Sequence, residues 1–425
     1  MIRKMVFVFT VILYVCGATL TQAKEGQLLA GFFRVNITPE VPVTLAGYSH
    51  RKDLSTGIHD SLYARVSVFQ NSDHRIVLVS VDILDFYYHT SELFRNTLLE
   101  QFDLKPEELF LAAIHTHSAP AVTLKEDAHP NNIAYTKAFK AKLAEAVSQA
   151  LSDLQPVKMG HGKGSSPVGV NRRQMQYDEA GNPQIVLGRN PYGVHDLQVS
   201  VLKITDTHDI LKSVVWEYAT HSTSLGPKNY LVSGDVHGLA EQFIESNLGN
   251  DVIAPGFAGA SGDIDPWFRI LPGFETGNGW IPEPVLLATM LGEEVVHVQR
   301  NIEQTSPLCE INSIFETVEL PGKTVNETTA TQDHEPAMMN ITVARVGDVA
   351  FVGLGAEVLS DIGLAIKAAS PFEHTIVITH CNGTQHYISP QKLYIEGGYE
   401  VRNSPFASPA ADQLVKHVVK LLHQL

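Results

Sequence analysis

Two histidines one residue apart, His115 and His117, close the apolar run in "LFLAAIHTHSAP" (Leu109–Pro120). Polar groups recur where other apolar runs end: His221 in "ATHSTS", Asp263 and Asp265 in "SGDIDPWFR", Glu357 after "VAFVGLG", and Tyr387 in "GTQHYISP". Neutral imidazole and carboxylate are the side chains that hold zinc when a catalytic site keeps one position open for water. Such ligands come from separate strand ends as readily as from one compact motif. Taken one at a time, the same residue types also serve as turns, caps and core groups, so the histidine pair alone specifies little. The isolated histidines His59, His161 and His386 are expected to be structural.

The elements that must position these groups are legible in part. "RIVLVSVDILDF" (Arg75–Phe86) is a continuous Val/Ile run, as expected of a strand covered on both faces. Helical spacing follows in Ser91–Phe102, and then the strand "LFLAAIHT". Strand, helix, strand in that order predicts parallel neighbours. Ser213–His221, His237–Asn247 and Asp251–Asp263 repeat the order. Asn340–Gly355 is expected to be a hairpin turning at Gly347–Asp348, with a helix over Val358–Ala369 and a strand over His374–Gly383. These elements predict an α/β fold with a mixed sheet core flanked by helices.

Open α/β sheets bind ligands beyond the carboxyl ends of their strands, where the polar groups fall. On a regular strand His115 and His117 would share a face with Cα atoms roughly 6.5 Å apart. That predicts unlike jobs, one imidazole on a metal and the other off it, free to carry a proton. The Gly/Pro-rich Ile270–Pro284 stretch is expected to be a long loop over the site.

The chain has 425 residues, 44% hydrophobic and 18% charged, the composition of an ordinary globular protein. A formal net charge of −15 argues against a nucleic-acid partner. "MIRKMVFVFTVILYVCGATLTQA" has basic residues, an apolar run and a small-residue cleavage site, the layout of a secretory signal peptide over residues 1–23. Its apolar run is short for a membrane span. A secreted or periplasmic mature chain without a transmembrane span is therefore expected, forming one domain over 24–425. Cys309 and Cys381 would either pair or stand as independent thiols. Asn36, Asn326, Asn340 and Asn382 each head an Asn-x-Ser/Thr triplet.

Several stretches in order carry a more specific signal: "GFFRVNITPE", "LAGYS", "GIHDSLYARVSVF", "VLVSVD", "IHTHSAP", "GVNRR", "THSTS" with "SGDVHG", "GASGDIDP", "GLGAE" and "HYISPQKLYIEGGYEV". Through them the chain resembles the neutral/alkaline, non-lysosomal ceramidase family over most of the length after the leader. The resemblance implies that family's catalytic domain without its C-terminal immunoglobulin-like domain. It implies zinc held by His115, His221, Glu357 and Tyr387, catalytic or transition-state roles for His117 and Arg172 with Tyr399 beside them, and substrate contacts at Asp265 and at Gly47 of "LAGYS". Asp265 is also a departure, because the family's Gly-Asp-x-Ser-Pro motif has serine there. A carboxylate at that point would repel a developing oxyanion unless a cation compensates, or would bind an amine, hydroxyls or a second metal.

The function expected from these residues is that of an exported zinc hydrolase. It would cleave the amide of a small-molecule or lipid-like N-acyl substrate, a ceramide-like sphingolipid among the candidates. An ester or phosphoester hydrolase with two metals would draw instead on Asp82, Asp263 and Asp265. A non-catalytic binding protein on the same scaffold is the third reading, against which the complete ligand set speaks. Asp82, Asp235 and Asp263 would either support the histidines or form turns and caps.

Overall fold

Arg75–Val81 shows why so apolar a run forms a strand here. Val77, Val79 and Val81 point to one side and pack with Phe94, Phe139, Leu143 and Val147 of two helices. Ile76 and Leu78 point to the other and meet Phe351 and Ile376 of a second sheet. Side chains alternate along a strand, so a strand covered on both faces reads as unbroken hydrophobicity. The computed structural model describes residues 26–425 apart from 73, 250, 268–282 and 324–335. The leader 1–23, Asn326 and nearly all of the Ile270–Pro284 loop lie outside the described residues.

The strand belongs to an eight-stranded sheet ordered Gly256–Ala258, Leu211–Tyr218, Gln198–Asp206, Gln155–Ser165, Leu29–Asn36, Tyr63–Gln70, Arg75–Val81, Leu109–Ala113. A four-stranded sheet ordered Ile311–Leu320, Ala337–Val346, Val349–Leu354, His374–Ile378 packs on its inner face. Helices Tyr88–Phe102, Pro130–Ser152, Asp235–Leu248 and Glu283–Asn301 cover the outer face of the larger sheet. Ser360–Ala369 and Ala410–Leu422 cover the smaller one. The result is a mixed-sheet α/β fold of four layers. The helix Pro130–Ser152 lies so close to the strand beneath that a Cβ on Gly31 would stand 2.0 Å from the Ala150 carbonyl oxygen. Only glycine fits there.

Three parallel strand pairs, each joined through a helix, set up the chemistry: Arg75–Val81 with Leu109–Ala113, Leu211–Tyr218 with Gly256–Ala258, and Val349–Leu354 with His374–Ile378. Their carboxyl ends are stitched together. Thr116 bridges Ser222, Ala112 bridges Cys381, and Thr379 N donates to the Ala258 carbonyl at 2.9 Å. The hairpin turns at Gly347–Asp348 as its sequence predicts.

Four expected strands are shorter than their sequences suggest: Arg75–Phe86 ends at Val81, His374–Gly383 ends at Ile378, and two others bear on the site. Leu109–Thr116 ends as a strand at Ala113, and His115 sits in the left-handed region at φ 61°. Ile114 N and Thr116 N still bond to Val81 O and Ile83 O, so the left-handed His115 lies between two anchored neighbours. The regular-strand geometry expected for the histidine pair is thereby overturned. Asp251–Asp263 shrinks to Gly256–Ala258, because Pro255 offers no N–H and Gly262 N bonds instead to Val358 O.

Cys309 and Cys381 are both free thiols. Of the described glycosylation triplets, Asn36 has an exposed side chain, whereas Asn382 is buried and donates to Thr342 Oγ1 at 2.9 Å. No described helix is long and apolar enough to cross a membrane.

Asp82 proves to be part of the framework. Arg65, fully buried, donates to Glu241 at 2.6 Å and Glu245 at 2.8 Å and stands 3.4 Å from Asp82. Removing the cation strands these carboxylates in the interior. Arg65→Met is expected to lower stability in urea denaturation by about 3–5 kcal/mol, the range for breaking a buried pair. A loss under about 1 kcal/mol would contradict that role.

Candidate metal centre at the strand ends

His115 and His221 are held in the same manner. Nδ1 of His115 lies 2.9 Å from the Leu84 carbonyl, and Nδ1 of His221 lies 2.8 Å and 2.9 Å from the carbonyls of Ser261 and Ile264. A carbonyl only accepts, so each ring carries its proton on Nδ1 and a lone pair on Nε2. Both Nε2 atoms lie 3.5 Å from Glu357 Oε2, a buried oxygen without a hydrogen-bond partner among the described residues. Tyr387 stands opposite Glu357 where Ala356–Val358 pairs with Gln385–Ile388.

Two lone pairs and an anionic oxygen at that spacing repel one another unless a proton or a metal ion lies between them; Arg172 Nη1 stands 3.3 Å from the His221 Nε2. The edge of a tetrahedron with ligands at 2.0–2.1 Å is about 3.4 Å, close to these separations. The donor set therefore fits a divalent ion. Burial pushes the His221 pKa down to about 3. For Glu357, burial alone would raise the pKa, but a proton on the neighbouring His115 holds it well below the carboxylate range, and the Glu357 charge in turn raises His115 against its burial, so this oxygen draws a cation to the His115 Nε2 side. Burial and the Glu357 charge keep the Tyr387 phenol protonated.

His117 is not set apart by distance. Its Nε2 lies 3.4 Å from His115 Nε2, and ligand atoms of His115, His117 and His221 lie within 4.8 Å of one another. The difference is at the other nitrogen: His117 Nδ1 is buried and has no partner among the described residues. Its ring packs on Tyr48, centroids 4.9 Å apart, and on Gly47. Gly47 has φ +97°, and a Cβ there would stand 2.5 Å from Nδ1. Arg51 ties this wall together, donating to the backbone carbonyls of Ala46, His117 and Asn229.

Arg172, on the strand Gly169–Tyr177, forms the opposite wall. It is 4% exposed. Nε donates to Glu400 at 2.8 Å, Nη1 to Asp265 at 3.2 Å and Nη2 to the Tyr387 hydroxyl at 3.1 Å, while Nη1 also stands 3.3 Å from His221 Nε2. Asp265 is fully buried and its second oxygen accepts from Arg189 at 3.2 Å. Tyr399 stands edge-on to Tyr387, 5.6 Å between centroids, and is 38% exposed. The cluster thus opens on the Tyr399 and His117 side.

Four participants escaped the sequence: Glu400, Arg189, Asp85 and His380. Glu400 directly follows Tyr399 in "GGYEV", so the motif contained it. Asp85 accepts from His380 Nδ1 at 3.1 Å, and the His380 ring stacks on His115 with centroids 3.9 Å apart. Asp235 and Asp263 prove to hold backbone amides. Asp235 accepts from Ser224 N, Leu225 N and Val236 N. Asp263 accepts from Ser360 N and Oγ and from Asn171 Nδ2. His59 pairs with Asp60 at 2.6 Å, and His386 is exposed. His161 lines a hollow of about 860 Å³ with Glu294, His297 and Asp348. None of its lining residues belongs to the cluster.

Fold and cluster together define an α/β protein with a metal-type centre at the carboxyl ends of its parallel strands. The family described as "Neutral/alkaline non-lysosomal ceramidase, N-terminal" matches residues 29–266, and the chain belongs to that family. Neutral ceramidase from Pseudomonas aeruginosa is 28% identical over 258 residues, covering 57% of this chain and 38% of that protein. Neutral ceramidase 1 of Arabidopsis thaliana is 26% identical over 254 residues, covering 56% of this chain and 31% of that protein. The match thus spans about a third of the length of these curated relatives. The crystal structure of the Pseudomonas aeruginosa enzyme superposes on 95% of this chain and 75% of that one, with TM-score 0.76 and 20% identity.

Protein purified without added metal is expected to carry about one divalent ion per chain by elemental analysis, since the set offers one centre. His115→Ala and His221→Ala should each lose it. Wild-type protein that neither carries nor takes up an ion would count against the centre.

Proposed function

We propose that the chain is an exported zinc-dependent amidohydrolase that cleaves the amide bond of an N-acylated compound, with ceramide-like sphingolipids as the first candidates. The observation that carries the reading is the pair of Nδ1-anchored imidazoles whose Nε2 atoms share the unpartnered Glu357 oxygen. His115, His221, Glu357 and Tyr387 would hold the zinc. Zinc bound there supplies Lewis acidity and a water activated at neutral pH. The relatives' names point to ceramides, and the leader-like residues 1–23 support export.

The other steps belong to the chain's own side chains. His117 Nδ1 has no partner among the described residues, and a ring that stays off the zinc keeps a lone pair to take a proton and return it to the leaving amine, which a zinc-bound Nε2 cannot do. Arg172 uses three of its N–H groups on Glu400, Asp265 and Tyr387 and keeps an Nη2 N–H for the carbonyl oxygen of the substrate. Tyr399, half-exposed at the opening, adds a second donor. One such donor is typically worth a few kcal/mol in the transition state. Asp265 has both oxygens on guanidiniums and Asp82 lies with Arg65, so the carboxylates needed for a second ion are already engaged.

The reading is tested with the zinc-loaded protein on a panel of N-acyl compounds, ceramides and N-acyl amino acids included, beside ester and phosphoester controls. Amide turnover that stops with a chelator and returns with zinc supports it, and turnover confined to phosphoesters refutes it. His117→Ala should keep the zinc and lose about 10²–10⁴ in kcat, the usual share of a general acid–base group. Gly47→Ala, with its methyl against His117 Nδ1, should likewise keep the zinc and slow turnover.

A further inference from the structure

Asp85 and His380 are buried beside the centre, at 4% and 1% exposure, and neither has a part in the reaction proposed above. Their geometry is nevertheless specific. Asp85 Oδ2 accepts from His380 Nδ1 at 3.1 Å and from the Thr384 hydroxyl, and Oδ1 accepts from Phe86 N at 2.7 Å. The His380 ring lies face-on to His115, centroids 3.9 Å apart and planes 15° from parallel.

The two rings are also in register. His115 Nδ1 is anchored on the Leu84 carbonyl and His380 Nδ1 on the side chain of the next residue, Asp85. Both imidazoles therefore turn their Nδ1 edges to the same short segment. The two residues come from different sheets and both have left-handed backbones, φ 61° at His115 and 52° at His380. Ala113 N to His380 O at 3.3 Å and the Ala112–Cys381 bridge lock the two strand ends together.

Asp85, His115 and His380 bring ligand atoms within 4.8 Å of one another, but they do not make a second ion site. Imidazole lone pairs lie in the ring plane. Near-parallel stacked rings send theirs side by side rather than to one point, and both Nδ1 positions are already bonded.

We propose that Asp85 and His380 are positioning residues for metal binding: Asp85 fixes the His380 ring, and the flat face of His380 fixes the plane of His115. The proposal rests on the metal reading of the centre. A single hydrogen bond at Nδ1 leaves the His115 ring able to rock about its Cβ–Cγ bond, and a stacked neighbour removes that freedom. A ligand held in plane loses less mobility when the ion binds, which favours binding.

The test is zinc affinity of the full chain, measured by competition with a chromophoric chelator, beside thermal melting of the metal-free protein. His380→Leu keeps the bulk and removes the flat face, whereas His380→Phe keeps both. His380→Leu should weaken zinc binding about 10-fold or more, the range for losing an outer partner of a metal-bound histidine. His380→Phe keeps the flat face but loses the Asp85 bond, and should bind zinc more weakly than wild type and more tightly than His380→Leu. Asp85→Leu likewise keeps the face and frees it, and should resemble His380→Phe. Equal affinities for wild type and His380→Leu, or equal losses for Leu and Phe, overturn the proposal while leaving the metal centre standing. A wild type that binds no zinc overturns the metal reading itself, and this proposal with it.

Discussion

The buried guanidinium of Arg172 is the constraint on which the rest of the site depends. Taking a guanidinium out of water costs several kcal/mol unless its donors are answered. Here the answers come from Asp265, Tyr387 and Glu400, each on a different segment. Closing them around one planar fork draws the three-stranded sheet Ile264–Pro266, Gly169–Tyr177, Pro183–Asn190 against the short pair Ala356–Val358 and Gln385–Ile388 and the helix Tyr399–Arg402. Glu357 and Tyr387 lie on that short pair. The same closure that satisfies Arg172 therefore brings two of the four expected ligands to the two histidines at the strand ends.

Much of this framework was legible because each step from strand to helix to strand leaves a change of period in the sequence. The polar groups at strand ends stood out because they interrupt apolar runs. The two-sheet core was not legible, since Ile76 and Val77 face different layers yet look alike in sequence. Nor was the left-handed turn at His115, which falls between the anchored Ile114 and Thr116 in an otherwise regular strand pattern. The groups that orient the histidines were invisible for a different reason. Leu84, Ser261 and Ile264 act through their carbonyls, which every residue has. Asp85 and His380 meet across 295 positions, and no local pattern records such a pairing.

Asp265 shows how a departure from the family's motif can be absorbed. A carboxylate beside the reacting centre, taken alone, would repel an oxyanion. Arg189, from the strand Pro183–Asn190, holds its second oxygen and meets that charge. The substitution is thus legible only in combination: Asp265 makes sense with Arg189, and the two lie 76 positions apart. A substrate amine reaching this carboxylate would have to displace a guanidinium, since both Asp265 oxygens are already bonded to one.

Arg172, Arg173 and Arg189 meet three carboxylates, the buried Asp265 and Glu400 and the partly exposed Glu396, so the charges on that wall balance and Arg172 is the guanidinium that also reaches Tyr387 and His221. Because backbone carbonyls rather than carboxylates anchor His115 and His221, Glu357 is the one anionic group among the four expected ligands, with the Tyr387 phenol kept protonated by burial. A divalent ion in such a set keeps net positive charge. In a low-dielectric pocket that excess is worth more than it would be in water. On the proposed reading the pocket meets the negative charge of amide hydrolysis with the ion on one side and the Arg172 guanidinium on the other, and the aspartate that looked unfavourable in the sequence helps hold that guanidinium in place.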